Sequence, residues 1–597
     1  MLVHGQELRT QLVFAGLCLG CVLLLARLFD LQCLRFETYR TRALQQQKRV
    51  HVVPARRGRI LDRNGNIFAI STTKPAVWAD PGLVTDPRGE AALLVKLLGV
   101  DPAQVNRKLG DPEDRFVWIT KEISDAQAIN LRAAIKRKEL PGVYIKELTE
   151  RLYPKGTLLG NLVGFCNADG DGAEGLEYQA NELLAGHNGY MITRRDNRRR
   201  YFIDPNWLGK PLEPQDGQDI YLTIDEYIQT VAERELLKAV DDYQPSNAFA
   251  IVMEPATGHI LALALWPQFN PNDRRNYRPG LLQNQAAAYI FEPGSTMKAI
   301  SGAIALDEGV VSLDTRVFCE NGVWQATRGH ALHDDHELGE ITFKEVIQHS
   351  SNIGTAKVAG QLDPYRFWKY LLRFGFGQRT GIELVPSESP GVLRPPSKWS
   401  KLSMVSLPIG HEIGVTGLQL LNAVATIANK GTRVQPTLIK RIETSDGELS
   451  PDGKQFNYFE PVVLDSAVIS TETAERITEA LKSVTTREGT GALADIPGYT
   501  VAGKTGTAQK YINGAYSHRA FTASFVGFTP ATRPAICCVV VFDTPSRRHY
   551  GGLVAAPVFK RICEETLAYL KVPKDVPLQA KAPEEVSQHA VDGDVAL

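Results

Sequence analysis

The sequence lacks several features that mark common classes of protein. It has no excess of either charge, because 67 lysine and arginine residues balance 67 aspartate and glutamate residues. This balance gives no indication of nucleic-acid binding. Its eight cysteines lie at spacings that fit neither a zinc site nor a small disulfide framework. Small buried apolar residues are therefore their expected role.

One long apolar run stands near the N-terminus. Residues 10–26 carry no charge. A run of this length is about the shortest that crosses a bilayer as a helix. The run extends to Leu34 if Arg27 places its guanidinium at the interface. The basic start and small-residue cleavage site of a signal peptide are not evident. We therefore predict an uncleaved transmembrane anchor at 10–34 after a short cytoplasmic tail at 1–9.

The rest of the chain is too long for one core. Proline and glycine in residues 209–219 mark a boundary between a soluble region at 45–215 and a second one at 216–571. The first region opens with a hairpin signal at Asn64-Gly65. Residues 572–597 have few large apolar side chains, so we predict a disordered tail.

The second region has strand and helix patterns in an informative order. Residues 220–240 read as a strand followed by an amphipathic helix, and residues 248–264 as two strands joined by a turn. Strands at 523–530 and 535–545 and a closing helix at 554–570 end the region. This order predicts an α+β fold, with one antiparallel sheet and helices packed over it.

The stretch FEPGSTMKAI, residues 291–300, concentrates the chemistry of the chain. Pro293 and Gly294 form a turn ahead of an apolar helical run, so Ser295 should lie at a helix N-terminus. Lys298 follows three residues later, on the same helix face. An adjacent amine can take the serine proton, while the first N–H groups of the helix stabilise negative charge.

Two more polar clusters strengthen a pattern that is weak by itself. Residues 350–352 read Ser-Ser-Asn, and residues 504–507 read Lys-Thr-Gly-Thr. Ser-x-x-Lys, Ser-x-Asn and Lys-Thr-Gly, in this order, are the set named for penicillin-binding proteins and serine β-lactamases. The third cluster reads as an edge strand, where Gly506 would let an extended peptide backbone approach closely.

From about residue 45 to 565 the chain resembles class B penicillin-binding proteins, which are peptidoglycan D,D-transpeptidases. The septal, cell-division type is favoured by Phe291-Glu292, by the Ser-Ser-Asn form and by residues 550–559, with an elongation-type enzyme as the alternative. The segments that carry the resemblance are RRGRILDRNGN (56–66), RLYP (151–154), GNLVGF (160–165), EGLE (174–177), LTIDEYIQ (222–229), FEPGSTMK (291–298), SSN (350–352), VTGLQLLNAVATIANKG (415–431), VAGKTGTAQ (501–509) and YGGLVAAPVF (550–559).

The resemblance implies a penicillin-binding transpeptidase fold, with helices on both sheet faces and a helical subdomain, on a β-rich pedestal of the dimerisation type. Ser295 would attack the penultimate D-Ala carbonyl of a stem peptide and form an acyl-enzyme. Lys298 would be the base, its pKa lowered by burial and by the charge of Lys504. Ser350 would relay the proton to the leaving amine, and Asn352 would hold the substrate amide and Lys298.

The third cluster would bind the substrate. By the resemblance, Lys504 and the hydroxyls of Thr505 and Thr507 take the terminal carboxylate beside Gly506. The backbone N–H groups of Ser295 and Thr507 would form the oxyanion hole. An amine of a second stem peptide then takes the acyl group, and no metal or other cofactor is required.

Two segments depart from the family pattern. Many relatives have Gly-Tyr-Gly where this chain has His411 and Glu412 in IGHEIGVTG. His411 is interpreted either as a packing residue of this loop or as a residue that shapes the cleft. The other segment is HALHDDHELGE, residues 330–340, whose histidines stand beside two aspartates. Such a cluster is compatible with a transition metal, but we predict a polar hairpin without one. Its histidines are His330, His333 and His336.

The resemblance also implies partners and a location. β-Lactams would be covalent inhibitors, and the catalytic region would lie outside the cytoplasmic membrane, in the periplasm, because its substrate is the cell wall. The region before residue 216 shows no glycosyltransferase pattern, so a membrane-embedded polymerase of the SEDS family is the expected partner, with other division proteins. A β-lactam sensor or β-lactamase and a non-catalytic division scaffold are the other interpretations.

Overall fold

The computed structural model describes residues 2–195, 201–202, 212–278, 280–327, 329–383, 385, 387–443, 457–512 and 514–577. The chain forms two compact units. Residues 1–56 and 186–217 make the first unit, and residues 57–185 and 218–597 make the second. The second unit thus contains most of the predicted pedestal together with the predicted transpeptidase region.

The first unit carries the apolar N-terminal helix. Helix α1 (Leu2–Phe29) continues through a π-helical turn at Asp30–Leu34, and α2 (Phe36–Gln47) follows. Among the described residues, only Leu8–Leu34 is long and apolar enough to cross a membrane, and none of it is buried inside the protein. An antiparallel sheet completes the unit, formed by strands Lys48–Val53, Gly189–Arg195 and Tyr201–Phe202.

Residues 57–185 form a pedestal around one long strand. The predicted hairpin is present as β1 (Ile60–Leu61) and β2 (Ile67–Ala79), and Gly65 in its turn has a φ of +95°, which favours glycine. Three helices cover one face of the sheet. These and the other main elements are α3 (Pro87–Leu98), α4 (Pro102–Leu109), β3 (Val117–Thr120), α5 (Asp125–Lys136) and β4 (Val143–Leu152).

Short elements then close the pedestal around a buried ionic network. Arg57 Nε and Arg151 Nε lie 2.7 and 2.6 Å from the two carboxylate oxygens of Glu177, whose side chain is fully buried. Arg57 also donates to the carbonyl oxygen of Glu177 at 2.7 Å. The short elements are Gly160–Val163, Phe165–Cys166, Gly172–Glu174, Gly175–Gln179 and Asn181–Leu184.

One sheet joins the pedestal to the region that follows it. Strand β5 (Asp219–Leu222) runs parallel to β1, and Arg59 donates from its backbone and its guanidinium to Asp219 at 2.6 and 2.8 Å. The same β5 pairs on its other side with Ile439–Glu443 of the predicted transpeptidase region. The pedestal and the region after it are therefore parts of one hydrogen-bonded sheet.

The predicted antiparallel sheet is the centre of residues 218–577. After helix α6 (Glu226–Tyr243) come β6 (Asn247–Met253) and β7 (Ile260–Trp266), whose residues are nearly all buried because the sheet is covered on both faces. Three strands from the far end of the chain complete the sheet: β16 (Ala502–Ile512), β17 (Ala515–Thr529) and β18 (Ile536–Asp543). The order across the sheet is β7-β6-β18-β17-β16, with β16 at the edge. The predicted antiparallel sheet and edge strand are thus confirmed.

Helix α6 and the C-terminal helix α16 (Ala556–Tyr569) cover one face of this sheet. The helical middle of the chain covers the other face. The remaining elements in chain order are α7 (Gln285–Ala288), α8 (Met297–Asp307), β8 (Arg316–Phe318), β9 (Val323–Thr327), β10 (His330–His333), β11 (Glu340–Thr342), α9 (Phe343–Gln348), α10 (Asn352–Ala359), α11 (Pro364–Arg373), α12 (Ser403–Ser406), α13 (Gly417–Ala428), β12 (Arg433–Val434), β13 (Ile439–Glu443), β14 (Asn457–Tyr458), β15 (Val463–Asp465), α14 (Thr471–Val484), β16 (Ala502–Ile512), β17 (Ala515–Thr529), β18 (Ile536–Asp543), α15 (Gly551–Val554) and α16 (Ala556–Tyr569).

The start of the predicted disordered tail is packed on the fold. Val572 accepts a hydrogen bond from the Tyr499 hydroxyl at 2.8 Å, and Asp575 accepts from the Thr500 backbone and the Thr532 hydroxyl, both at 2.7 Å. These contacts hold Val572 and Asp575 against the end of the sheet. Residues 578–597 lie outside the described residues.

We expect Glu177→Ala to lower the free energy of unfolding by about 3–5 kcal/mol, because it leaves two arginines buried without a counter-charge. The shift of the urea unfolding midpoint, followed by circular dichroism, measures the effect. Glu147→Ala is the matched control: its partner Arg132 lies 3.0 Å away, but both side chains are at least half exposed, so we expect less than about 1 kcal/mol. Equal effects of the two substitutions would contradict a structural role for the buried network.

Candidate active site

Ser295 lies in a tight turn that leads into a buried helix. Residues Gly294–Thr296 form one 3₁₀ turn, and α8 continues from Met297. The predicted position at a helix N-terminus is therefore confirmed. Gly294 has a φ of +54°, and its N–H donates to the Gly410 carbonyl at 3.1 Å. The side chain of Ser295 is half-buried, and among the described residues its hydroxyl has no hydrogen-bond partner.

The Lys298 amine is fully buried and held by neutral acceptors. Its Nζ donates to the Ser350 carbonyl oxygen at 2.5 Å, to Asn352 Oδ1 at 2.7 Å and to Ser350 Oγ at 3.2 Å. Burial lowers the pKa of Lys298 to about 8, against the opposing attraction of Asp334 and Asp335. A substantial fraction of the amine is therefore neutral near pH 7–8 and able to accept a proton.

A strained turn presents the second cluster to this amine. Ser350 has a φ of +60°, which is rare for a residue with a side chain. This conformation directs its carbonyl to Lys298. Asn352 begins α10 and donates from Nδ2 to the His333 carbonyl at 2.8 Å, which leaves its Oδ1 for Lys298. Backbone strain of this kind persists only where neighbouring contacts enforce it.

Asp334 supplies those contacts at the start of α10. Its Oδ1 accepts from the backbone N–H groups of Asn352 at 2.5 Å and Ile353 at 3.0 Å, and its Oδ2 accepts from Ser351 Oγ at 2.5 Å. Ser351 in turn caps the helix by accepting from the Gly354 N–H at 2.9 Å. A carboxylate at a helix N-terminus is also favoured by the helix dipole. Asp334 therefore fixes the orientation of residues 350–352.

The third cluster lies on the edge strand β16. Lys504 is fully buried, and its Nζ lies 3.3 Å from Thr505 Oγ1, which is 2.9 Å from Thr490 Oγ1. Thr507 Oγ1 accepts from the Gly551 N–H at 3.1 Å. Burial and the charge of Lys298 lower the pKa of Lys504, against the attraction of Asp335. Burial thus lowers the pKa of both lysines, and the repulsion between the two amines disfavours the state in which both are charged.

Gly506 has a structural role that the sequence does not reveal. A Cβ at this position would lie 2.4 Å from Ser524 Oγ, 2.8 Å from Thr296 Cγ2 and 3.0 Å from the Pro293 carbonyl oxygen. The missing side chain therefore makes room for the turn that carries Ser295. The close approach of a substrate backbone to this strand stays a prediction.

One cavity of about 500 Å³ brings the clusters together. Ser295, Ser350, Asn352, Thr505 and Thr507 all line it. The two lysines and the glycine of the predicted set are buried behind its walls. The predicted residues thus form one site, with hydroxyls and an amide at the surface and two amines beneath it.

His411 also lines this cavity, and sequence reasoning left its role open. Its Nδ1 lies 2.8 Å from Glu292 Oε2, three residues ahead of Ser295. The adjacent Glu412 has a φ of +60° and accepts from Ser403 Oγ at 2.7 Å. The pairing with Glu292 was not predicted, since only the Gly-Tyr-Gly departure pointed to this loop.

The histidine-rich segment serves as support for the second cluster. His330 and His333 lie on β10, which pairs with β9 as an antiparallel hairpin, and His336 is exposed at the rim of the cavity. No group of three metal-ligating side chains occurs in the parts of the chain that the structure describes. The segment acts on the site through the carboxylate of Asp334 and the carbonyl of His333, and neither contact was predicted.

Comparison with known proteins identifies the same pattern. Residues 248–564 match the penicillin-binding protein transpeptidase domain, and residues 52–222 match the penicillin-binding protein dimerisation domain. The chain is 32% identical to the probable peptidoglycan D,D-transpeptidase PbpC of Pseudomonas aeruginosa over 88% of both chains. It is 31% identical to the peptidoglycan D,D-transpeptidase FtsI of Escherichia coli K12, over 94% of this chain and 92% of that relative.

A solved structure agrees with these relatives. Penicillin-binding protein 3 of Mycobacterium tuberculosis, complexed with aztreonam, superimposes with a TM-score of 0.66 at 28% identity. The match covers 89% of this chain and all of that structure. Both the pedestal and the region of the site therefore have counterparts in a known fold.

We expect Asp334→Ala to lower the free energy of unfolding by about 1–2 kcal/mol, because it leaves the N–H groups at the start of α10 without their acceptor. Chemical denaturation measures the loss. Asp335→Ala is the control, since this neighbouring side chain is exposed and makes no hydrogen bond among the described residues; we expect a change below about 0.5 kcal/mol. A larger effect for Asp335 than for Asp334 would show that the cap is not what stabilises the turn.

Proposed function

Since this chain belongs to the penicillin-binding protein transpeptidase family, we propose that Ser295 is the nucleophile of its peptidoglycan D,D-transpeptidase reaction. The activity class follows from the family: the protein acts on peptidoglycan and binds β-lactams. The single observation that carries the assignment of Ser295 is the buried Lys298 amine with a lowered pKa, one helical turn from the serine in a shared site.

Acylation follows from the positions of the clusters. The Ser295 hydroxyl gives its proton to neutral Lys298 as its oxygen attacks the carbonyl carbon of the penultimate D-Ala. Ser350, which Lys298 contacts, carries the proton to the leaving D-Ala amine as the C–N bond breaks. The backbone N–H groups of Ser295 and Thr507 stabilise the charge on the carbonyl oxygen. Asn352 holds the substrate amide.

Lys504 couples substrate binding to activation of the base. The terminal carboxylate of the stem peptide meets the hydroxyls of Thr505 and Thr507 in the cavity, with the Lys504 amine behind them. An anion at this place favours the charged form of Lys504. Two buried ammonium groups repel each other, so a charged Lys504 favours the neutral form of Lys298. The correct substrate would thereby help to create the base that it requires.

The N-terminal helix and the sequence support a location for the reaction. The apolar helix fits a membrane anchor. We place the catalytic region outside the membrane because the cell wall lies there, and we favour septal synthesis on the motifs described above. The absence of a glycosyltransferase pattern makes a SEDS-family polymerase the partner to test, by co-purification in detergent. The domain limits at 45, 215 and 571 stay predictions.

We expect full-length protein in detergent to form a stable covalent adduct with a fluorescent penicillin, located on Ser295 by peptide mass spectrometry. Ser295→Ala should abolish it, because the ester oxygen is gone. The matched control is Ser301→Ala, nearly two helical turns after Ser295. The buried Ser301 hydroxyl donates to the Pro408 carbonyl at 2.9 Å, and the variant should keep the adduct. Folded wild-type protein without an adduct, or an adduct that survives Ser295→Ala, would refute the assignment.

We expect the second-order rate constant of acylation to depend on pH through Lys298. The base acts only when neutral, so the rate should fall about tenfold per pH unit below the pKa of about 8 and level off above it. Stopped-flow measurements with a penicillin that does not ionise between pH 6 and 11 test this. A rate that is flat over this range, or one that keeps rising beyond pH 10, would contradict Lys298 as the neutral base.

A further inference from the structure

The departure from the family pattern at residue 411 places a histidine–carboxylate pair in the active-site cavity. His411 lines the cavity together with Ser295, and its Nδ1 lies 2.8 Å from Glu292 Oε2. A carboxylate only accepts hydrogen bonds, so Nδ1 is the donor. In the neutral ring Nε2 is then the free acceptor. The ring is thus set in the tautomer that a general base requires.

The orientation of this pair is fixed from several sides. Glu292 Oε1 also accepts from the Glu412 backbone N–H at 3.0 Å and from the Tyr516 hydroxyl at 3.3 Å. The Tyr516 ring packs edge-on against the imidazole, with ring centres 5.2 Å apart at an angle of 72°. The Glu292 carboxylate therefore joins the turn of Ser295 to the loop of His411.

Negatively charged groups lie near His411. Glu412 is paired with Arg394 at 2.6 Å, whereas among the described residues Glu292 has no lysine or arginine within ion-pair distance. Tyr516 is neutral, because burial and Glu292 raise its pKa above the ordinary tyrosine value. Asp335 and the exposed His336 line the other parts of the cavity. The Glu292 carboxylate thus attracts a positively charged group to the side of the cavity where His411 lies, away from the two buried lysine amines.

The second half of the reaction needs such a base. An acceptor amine arrives mostly as an ammonium ion at neutral pH, and it must lose a proton before its nitrogen can attack. Lys298 has handed its proton to the leaving group during acylation, and it is needed to return one to Ser295. This inference rests on the proposed function.

We propose that His411, oriented by Glu292, takes the proton of the acceptor ammonium group in the acyl-enzyme. The proton moves to Nε2, the Glu292 carboxylate stabilises the imidazolium, and the partly exposed ring releases the proton to water. The free amine then forms a C–N bond with the acyl carbon as the bond to Ser295 Oγ breaks. The second amine proton passes to Lys298 and from there to Ser295 Oγ, so the enzyme returns to its starting state.

The test separates aminolysis from hydrolysis of one acyl-enzyme. Full-length protein in detergent is given a thioester analogue of an N-acyl-D-Ala donor and D-alanine as acceptor, and both products are quantified by mass spectrometry. Water carries no charge to remove, so His411→Asn should lower the ratio of transfer to hydrolysis by roughly 10²-fold. Glu292→Gln, which keeps an acceptor for Nδ1–H but removes the charge, should lower it less.

Two controls distinguish a role of His411 as a base from a purely structural role in lining the cavity. His336→Asn removes a histidine that lines the same cavity but has no carboxylate partner among the described residues, and it should leave the ratio unchanged. Added imidazole should restore transfer by His411→Ala and have no effect on the wild type. A purely structural role predicts no such rescue.

Each remaining outcome decides the matter. An unchanged ratio in His411→Asn overturns the role of His411 and leaves the proposed function intact. A fall in His411→Ala that added imidazole does not reverse has the same meaning. If His411→Asn does not fold, the ratio in Glu292→Gln decides instead, and an unchanged ratio there overturns the proposal. Wild-type protein that forms no acyl-enzyme with either the thioester or penicillin refutes the proposed function itself.

Discussion

The burial of one amine is the constraint on which the site depends. Lys298 has no exposed surface, and its hydrogen bonds go to a carbonyl, an amide and a hydroxyl. A carboxylate in direct contact would hold the proton on the amine and end its use as a base. The protein keeps Asp334 close enough to organise the site but engages its oxygens with backbone N–H groups and a serine hydroxyl. Neutral contacts at the lysine and charged contacts one step away are therefore parts of one arrangement.

This arrangement requires a strained backbone at two positions. Ser350 and Glu412 both adopt left-handed conformations, with φ of +60°, at a cost of order 1 kcal/mol each. The first directs a carbonyl to Lys298, and the second lies in the loop that pairs with Glu292. Both face the turn of Ser295, which is itself held against β16 because Gly506 has no side chain. These two turns and β16 thus position Ser295, whose hydroxyl makes no hydrogen bond among the described residues.

Much of this could be predicted from sequence because the signals are local. Apolar runs and turns give the strands of the central sheet, and the spacing of Ser295 and Lys298 within one helical turn needs no tertiary information. The support contacts are different in kind. Asp334 and Ser351 are 17 residues apart, and His411 and Glu292 are 119 apart. Such contacts depend on which loops the fold brings together, and one sequence gives no periodic signal of that.

Gly506 illustrates the same limit of the sequence. A glycine in an edge strand indicates that something approaches its backbone closely, but the sequence does not identify what approaches. The structure identifies the turn of Ser295 as that neighbour. Val572 and Asp575 are likewise stabilised by partners some 70 residues upstream, which composition alone does not reveal.

The strand pairing between β1 and β5 has a consequence for how this chain can be divided. Because β5 hydrogen-bonds to the pedestal on one side and to Ile439–Glu443 on the other, a fragment that begins at residue 218 would expose a bare strand edge and leave Asp219 without Arg59. Unpaired edges recruit other chains. The sheet therefore continues from one matched segment into the other through the pairing of β5 with Ile439–Glu443, and a cut at residue 218 opens an edge at which other chains can pair.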